Sequence, residues 1–160
     1  MGFNNDGLDK IKARASKVYP FSIPLIANIG KNKITPNDMA IKDYEILVKG
    51  LDSCCDAFVI NISSPNTPNL RDLQSESFIN ELFAALSSLT KKPLILKIAP
   101  DMSIDSAISL CSTAANAGFK GLIINNTSVD YSLTSKAKDF GGISGQLIKD
   151  KSKELFKEVA

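Results

Sequence analysis

The feature that most constrains this sequence is a set of four short, nearly continuous apolar runs, each parted from the next by one stretch of helical pattern. The runs lie at Pro24–Gly30, Ala57–Ile62, Pro93–Ile98 and Gly121–Ile124. Runs that do not alternate with polar residues are how strands covered on both faces look. Before the first run, Leu8, Ile11, Ala15 and Val18 recur at helical spacing over 7–18, and Pro20 follows as a stop. Thr35-Pro36-Asn37-Asp38 reads as a helix start with Thr35 as N-cap, leading to Ala40, Tyr44, Leu47 and Leu51 on one face. A helix is expected over 75–89. Another is expected from Ser103, as N-cap, to Ala117, with Gly118 ending it. A long polar loop, 125–145, precedes a last helix starting near Gln146.

Strands separated by single helices, about one βαβ unit (~30 residues) apart, form a parallel sheet. Two architectures fit: an open doubly wound sheet, or part of a (β/α)8 barrel. A doubly wound nucleotide fold should carry G-x-G-x-x-G after its first strand, and none occurs. A complete barrel needs ~250 residues, and this chain has 160. The expectation is therefore an α/β fold, a partial TIM (β/α)8 barrel of about four consecutive βα units. Residues 1–160 would be its central part, with strands missing on both sides.

Composition narrows the function. With 44% hydrophobic and 22% charged residues the chain is neither disordered nor fibrous. Its 19 basic and 17 acidic residues are spread along the sequence without a basic stripe, which argues against a nucleic-acid partner. No stretch approaches the ~20 apolar residues of a membrane span, and 1–5 does not read as a signal peptide. Cys54, Cys55 and Cys111 fit neither a disulfide framework nor a zinc site and read as buried thiols. Histidine is absent, so any general base must be another residue type.

Polar residues recur where the strands end. Asn28 closes the first, Asn61 the second, Lys97 lies near the end of the third, and Asn125, Asn126 and Thr127 follow the fourth. Strand C-termini of a barrel share one mouth, so these side chains are expected to converge. Taken singly, an asparagine at a strand end is a common turn residue. A lysine flanked by Ile95, Leu96, Ile98 and Ala99 is less ordinary, because burying an ammonium is costly without an anion. The set lacks a carboxylate cluster for a metal. Amide-rich walls suit a planar hydrogen-bonding ring such as a pyrimidine or a flavin, and one lysine suits an anion. Gly141-Gly142-Ile143-Ser144-Gly145 could let backbone N–H groups approach a phosphate or a ring, or could be a plain turn-rich loop.

The segment Asn61-Ile62-Ser63-Ser64-Pro65-Asn66-Thr67-Pro68-Asn69-Leu70-Arg71 closely resembles the catalytic loop of class 2 dihydroorotate dehydrogenases, the quinone-dependent, membrane-associated type. Supporting blocks follow in the family's order: Met1 to Asn5, Asn28 to Asn32, Lys97 to Asp101, Asn126-Thr127, and Gly141 to Gly145. The resemblance covers essentially the whole chain, and the Ser-Ser-Pro-Asn-Thr block is its specific part. It implies oxidation of dihydroorotate to orotate in pyrimidine synthesis, with FMN as cofactor and quinone as electron acceptor. Ser64 would take the C5 proton while the C6 hydride goes to flavin N5. Class 1 relatives carry cysteine at this position, so serine favours class 2 over a class 1 or dihydropyrimidine dehydrogenase-like barrel.

A serine hydroxyl is a poor base alone and needs a way to hand its proton on. The resemblance assigns that route to Thr67 and Phe3, beside a water. It places Gly2, Phe3, Asn61, Asn66, Asn126 and Thr127 at the substrate. It assigns Asn28, Asn61, Lys97, Asn125 and Gly145 to the flavin, with Lys97 offsetting negative charge there. Asn125 departs from the family's usual threonine. The resemblance also implies a peripheral protein on the cytoplasmic side of the inner membrane. The membrane arm, the first strands and the phosphate-binding strands of the family lie outside this sequence, so an isolated 160-residue chain is expected to be inactive.

Overall fold

The computed structural model describes residues 4–67, 69–136 and 140–160. Gly2 and Phe3, two of the expected site residues, lie outside the described residues.

Four strands, β1 (Ile26–Ile29), β2 (Ala57–Asn61), β3 (Leu94–Lys97) and β4 (Gly121–Ile123), form one sheet in the order β1-β2-β3-β4. All three neighbouring pairs are parallel. Each strand thus lies beside its predecessor, and the sheet has no point where the order reverses. Such a reversal defines the doubly wound alternative, so the architecture is four consecutive units of a (β/α)8 barrel. The helices are α1 (Leu8–Val18), α2 (Ala40–Leu51), α3 (Glu76–Ser87), α4 (Ile104–Ala117) and α5 (Lys149–Val159). Successive helices pack on one another, as right-handed crossovers on a single side of a sheet require.

The register divides the side chains between two faces. Ile29, Phe58, Ile60, Leu94 and Leu96 point into the core shared with the helices, beside Tyr44, Val48, Leu82, Leu86 and Leu110. The opposite face carries Asn28, Val59, Asn61, Ile95 and Lys97, since Asn28 pairs with Val59, Val59 with Ile95 and Asn61 with Lys97. In a closed barrel that second face is the interior.

Helix ends follow local chemistry. The Ser75 and Ser103 side chains accept the N–H groups of Phe78 and Ser106, satisfying donors the first turns leave open. Gly118 closes α4 at φ 117°, and a Cβ there would meet the Phe83 ring at 2.6 Å, so glycine is required twice over. The start of α2 differs from expectation. Thr35 is not its N-cap; an extended Pro36 leads into a 3-10 turn, Asn37–Met39, and α2 begins at Ala40. The Thr35 backbone is engaged instead in closing the preceding loop, with its N–H on the Asn32 carbonyl and its own carbonyl accepting from Lys31 Nζ at 2.5 Å. The last helix also begins as a 3-10 turn, Gly145–Ile148. Cys54, Cys55 and Cys111 are free and buried, and burial pushes the Cys55 and Cys111 thiols up to about 11.

Candidate active site

The C-terminal ends of the strands bring most of the expected residues together. Asn61 is the last residue of β2, and its register partner Lys97 is the last of β3. Asn28 lies on the same face one strand over, beside Val59, and is exposed. Lys97 is half-buried rather than buried, and among the described residues its ammonium makes no hydrogen bond or ion pair. Strand pairing continues past the strands: Ile62 N–H reaches Lys97 O, Ile98 N–H reaches Ile123 O, and Asn126 N–H reaches Ile98 O. That continuation carries Asn126 to the same end of the sheet as Asn61.

Ser63 joins the two asparagines. Its Oγ donates to Asn61 Oδ1 at 2.9 Å and accepts from Asn126 Nδ2 at 3.0 Å. Its N–H also reaches Asn61 Oδ1, at 3.1 Å. Asn61 and Ser63 are 3% and 0% exposed. From α2, the buried Tyr44 hydroxyl donates to the Asn61 carbonyl at 3.1 Å and so holds the end of β2.

Ser64 follows, 7% exposed, with its Oγ accepting the Asn66 N–H at 3.3 Å. Thr67 is 3% exposed, and its hydroxyl is buried without a partner among the described residues. A buried hydroxyl left unpaired is costly, and it lies in the loop expected to move a proton. The chain turns through Asn69 at φ 56° into a 3-10 turn, Leu70–Leu73.

Arg71, in that turn, spans three loops. Its Nε donates to Ser63 O at 3.1 Å, its Nη1 to Asp101 Oδ2 at 2.6 Å and its Nη2 to Thr127 O at 2.7 Å. Asp101 in turn accepts from Ser128 Oγ at 2.5 Å, Val129 N–H at 2.8 Å and Lys151 Nζ at 3.2 Å. Burial opposes ionisation of Asp101. The hydrogen bonds from Ser128, Val129, Arg71 and Lys151 together outweigh it and hold the carboxyl below its ordinary value.

The loop after β4 is folded back on itself. Ser128 and Ile143 form an antiparallel bridge, and the Tyr131 hydroxyl donates to Gly141 O at 2.9 Å. Gly142 is pressed so close to Thr127 that an added Cβ would sit 1.8 Å from its Oγ1. Gly145 is exposed at φ 79°. Asn125 Oδ1 accepts from Ser152 Oγ of α5 at 3.3 Å, while its buried amide nitrogen is unpaired among the described residues.

A cavity of about 520 Å³ lies elsewhere, between α1, α2 and the free edge of β1, lined by Ile11, Ile26, Asn28, Leu47 and Cys54 among others. It includes Asn28 but none of the residues around Ser64. The residues expected at the site lie instead at the C-terminal ends of the strands, on an open sheet face that four strands do not close into a barrel interior. Among the described residues no group of histidine, cysteine or carboxylate side chains could hold a metal ion.

The family model for dihydroorotate dehydrogenase matches residues 1–160. The chain belongs to the dihydroorotate dehydrogenase family. It is 61% identical over 160 residues to the dihydroorotate dehydrogenase (quinone) of a Nitratiruptor species, covering 100% of this chain and 46% of that protein. It is 53% identical over 159 residues to the enzyme of the same name from a Sulfurovum species, covering 99% of this chain and 45% of that one. The crystal structure of ligand-free type DHODH from Eimeria tenella superposes with a TM-score of 0.84 at 32% identity, over 99% of this chain and 53% of that one. The chain thus spans about half the length of the relatives it matches.

For a chain of this dehydrogenase family, the residues expected at the ligand stand out in the sequence, whereas Ser63, Arg71 and Asp101, which support them in the fold, do not. Ser63, Arg71 and Asp101 stood inside the blocks that carry the resemblance, but only the fold shows that they hold Asn61, Asn126 and Thr127. The available signal was a pair of opposite charges in the loops after adjacent strands.

Proposed function

We propose that the protein oxidises dihydroorotate to orotate as part of a complete barrel in which these 160 residues are the central section. The observation that carries this reading is the assembly around Ser64: Asn61, Ser63 and Asn126 in one hydrogen-bonded chain, on the sheet face that carries Lys97.

The donor set fits a flavin, taken here as FMN. Lys97 offers a cation without a protein partner among the described residues, and Asn61 a buried amide, on one face of one sheet. Asn28, Asn61, Lys97, Asn125 and Gly145 would hold it. When bound, the flavin supplies the acceptor for the C6 hydride and passes electrons on to quinone. Asn61, Asn66, Asn126 and Thr127 would orient the substrate, with Gly2 and Phe3 at its edge. Lys97 would offset negative charge close to the reacting atoms.

Ser64 would act as the base toward the C5 proton. Its surroundings are buried, which excludes water but makes a free alkoxide harder to form. The unpaired Thr67 hydroxyl supports a route for that proton, which the family resemblance assigns to Thr67 and Phe3.

Quinone reduction places the protein at a membrane, and we assign it a peripheral site on the cytoplasmic side of the inner membrane, reached through an arm outside these residues. Among the described residues no helix is long and apolar enough to cross a bilayer. The test is anaerobic addition of dihydroorotate to the full-length, FMN-loaded protein. Bleaching of the visible flavin band with release of orotate is expected; an unchanged band would overturn the proposal.

A further inference from the structure

Asn61 and Asn126 each have an amide whose two ends differ in chemistry, and the structure fixes which end is which by donors that cannot be reversed. Asn61 Oδ1 accepts the backbone N–H of Ser63 at 3.1 Å. Asn126 Oδ1 accepts the backbone N–H of Thr127 at 2.8 Å. A backbone N–H only donates, so both amide oxygens are committed to the protein. Asn126 Nδ2 then donates to Ser63 Oγ at 3.0 Å, which commits the Ser63 proton to Asn61 Oδ1 at 2.9 Å. The chain of donors runs one way, from Asn126 through Ser63 to Asn61. What remains for a ligand is mainly N–H: the Asn61 amide nitrogen, which has no partner among the described residues, and one N–H of Asn126, beside a single lone pair of Asn126 Oδ1.

We infer that Ser63 is a positioning residue whose hydroxyl braces both amides in the orientation their backbone partners fix, so that they present donors to ligands rich in acceptor oxygens, such as a carboxylate or ring carbonyls. Ser63 acts on the ligand only through the two amides. It is fully buried, its carbonyl is held by Arg71 Nε at 3.1 Å, and its hydroxyl lies between the two amides. Without that hydroxyl, Asn126 Nδ2 loses its acceptor and Asn61 Oδ1 loses one of two donors. Each amide is then held only by its backbone N–H, at Ser63 for Asn61 and at Thr127 for Asn126, and can swing about that single bond. Donors no longer braced toward the ligand bind its oxygens less well, so affinity for acceptor-rich ligands falls. This inference rests on the proposed function, because the ligand it explains is orotate.

The experiment compares Ser63→Ala and Ser63→Thr with the unsubstituted full-length, flavin-loaded protein. Orotate is titrated against the visible flavin spectrum, and steady-state rates are measured with dihydroorotate. Ser63→Ala is expected to weaken orotate binding and raise KM by about tenfold, the upper end of what one neutral hydrogen bond supplies. Flavin content stays unchanged and kcat stays within about twofold, since the lost interaction serves binding and transition state alike. Ser63→Thr, which keeps the hydroxyl, is expected to restore binding. If Ser63→Ala cannot retain flavin, Ser63→Cys takes its place with the same expected loss. Orotate affinity unchanged in the flavin-loaded variant, or a Thr variant as weak as the Ala variant, overturns the inference while leaving the functional reading intact. A parent protein whose flavin spectrum ignores orotate overturns both.

Discussion

Arg71 and Asp101 form a 2.6 Å ion pair between the loops that follow β2 and β3, and the same guanidinium reaches the carbonyls of Ser63 and Thr127. One side chain therefore ties the segment bearing Ser64 to the segment bearing Asn126 and Thr127. Both partners are largely shielded from solvent, which raises the worth of the pair over a surface contact but also the cost of breaking it. Arg71→Gln in the full-length protein is expected to cost about 1.5–3 kcal/mol, the range for hydrogen bonds to charged groups. It should also weaken orotate binding, because two loops lose their common anchor. Arg71→Lys keeps the charge but not the planar fork, and is expected to rescue little. Denaturant midpoints and an orotate titration check this; a Lys variant equal to the parent in both would show that charge alone suffices.

The lowered pKa of Asp101 gives the clamp a pH dependence of definite sign. Its folded value lies below its unfolded value, so its contribution to stability is fully present above the ordinary aspartate range of ~3.9. That contribution is lost as pH falls through the depressed folded value. The charged groups on it are Arg71 and Lys151. Asp101→Asn is therefore expected to lower the thermal midpoint at neutral pH, and the gap to the parent should close in acid. Midpoints measured from neutral pH downward check it. A gap that widens in acid would mean that Asp101 is not the stabilising carboxylate.

Gly142 and Gly141 are neighbours with different reasons to be glycine. A Cβ at Gly142 would overlap Thr127 at 1.8 Å from Oγ1 and 2.4 Å from Cβ, whereas Gly141 has open space but a φ of 79°. Gly142→Ala must push Thr127 aside, an overpacking cost of about 1–3 kcal/mol, and should impair orotate binding. Gly141→Ala should cost about 1–2 kcal/mol of backbone strain with ligand affinity nearly unchanged. Parallel stability and orotate-binding measurements separate the two. Equal effects on binding would remove Thr127 as the reason for Gly142.

Much of the fold was legible because its strands are continuous apolar runs and its turns carry strong local signals. The Ser103 cap and the Gly118 stop of α4 depend on residues within one helical turn, and both were read from the sequence. Asn28, Asn61 and Lys97 were placed at strand ends, and the parallel register then set them on one face. The misread cap at Thr35 shows the limit of local chemistry, since the loop closed by Lys31 uses that backbone first. The supports were not legible for a related reason. Arg71 meets Asp101 across 30 residues and Thr127 across 56, and Asn126 meets Ser63 across 63. Nothing in the local pattern of either partner specifies the other; only the sequential order of the strands brings their loops together.

Ser64 is proposed to act in the chemistry rather than in ligand binding or folding. That role is tested most directly by single-turnover flavin reduction in the full-length protein, anaerobically mixed with dihydroorotate, parent against Ser64→Ala, with orotate affinity measured on the same samples. The expected result is a reduction rate lower by roughly 10²–10⁴-fold, the contribution of a positioned base, with orotate affinity nearly unchanged. A rate close to the parent's, or a loss of orotate affinity matching the loss of rate, would contradict the assignment.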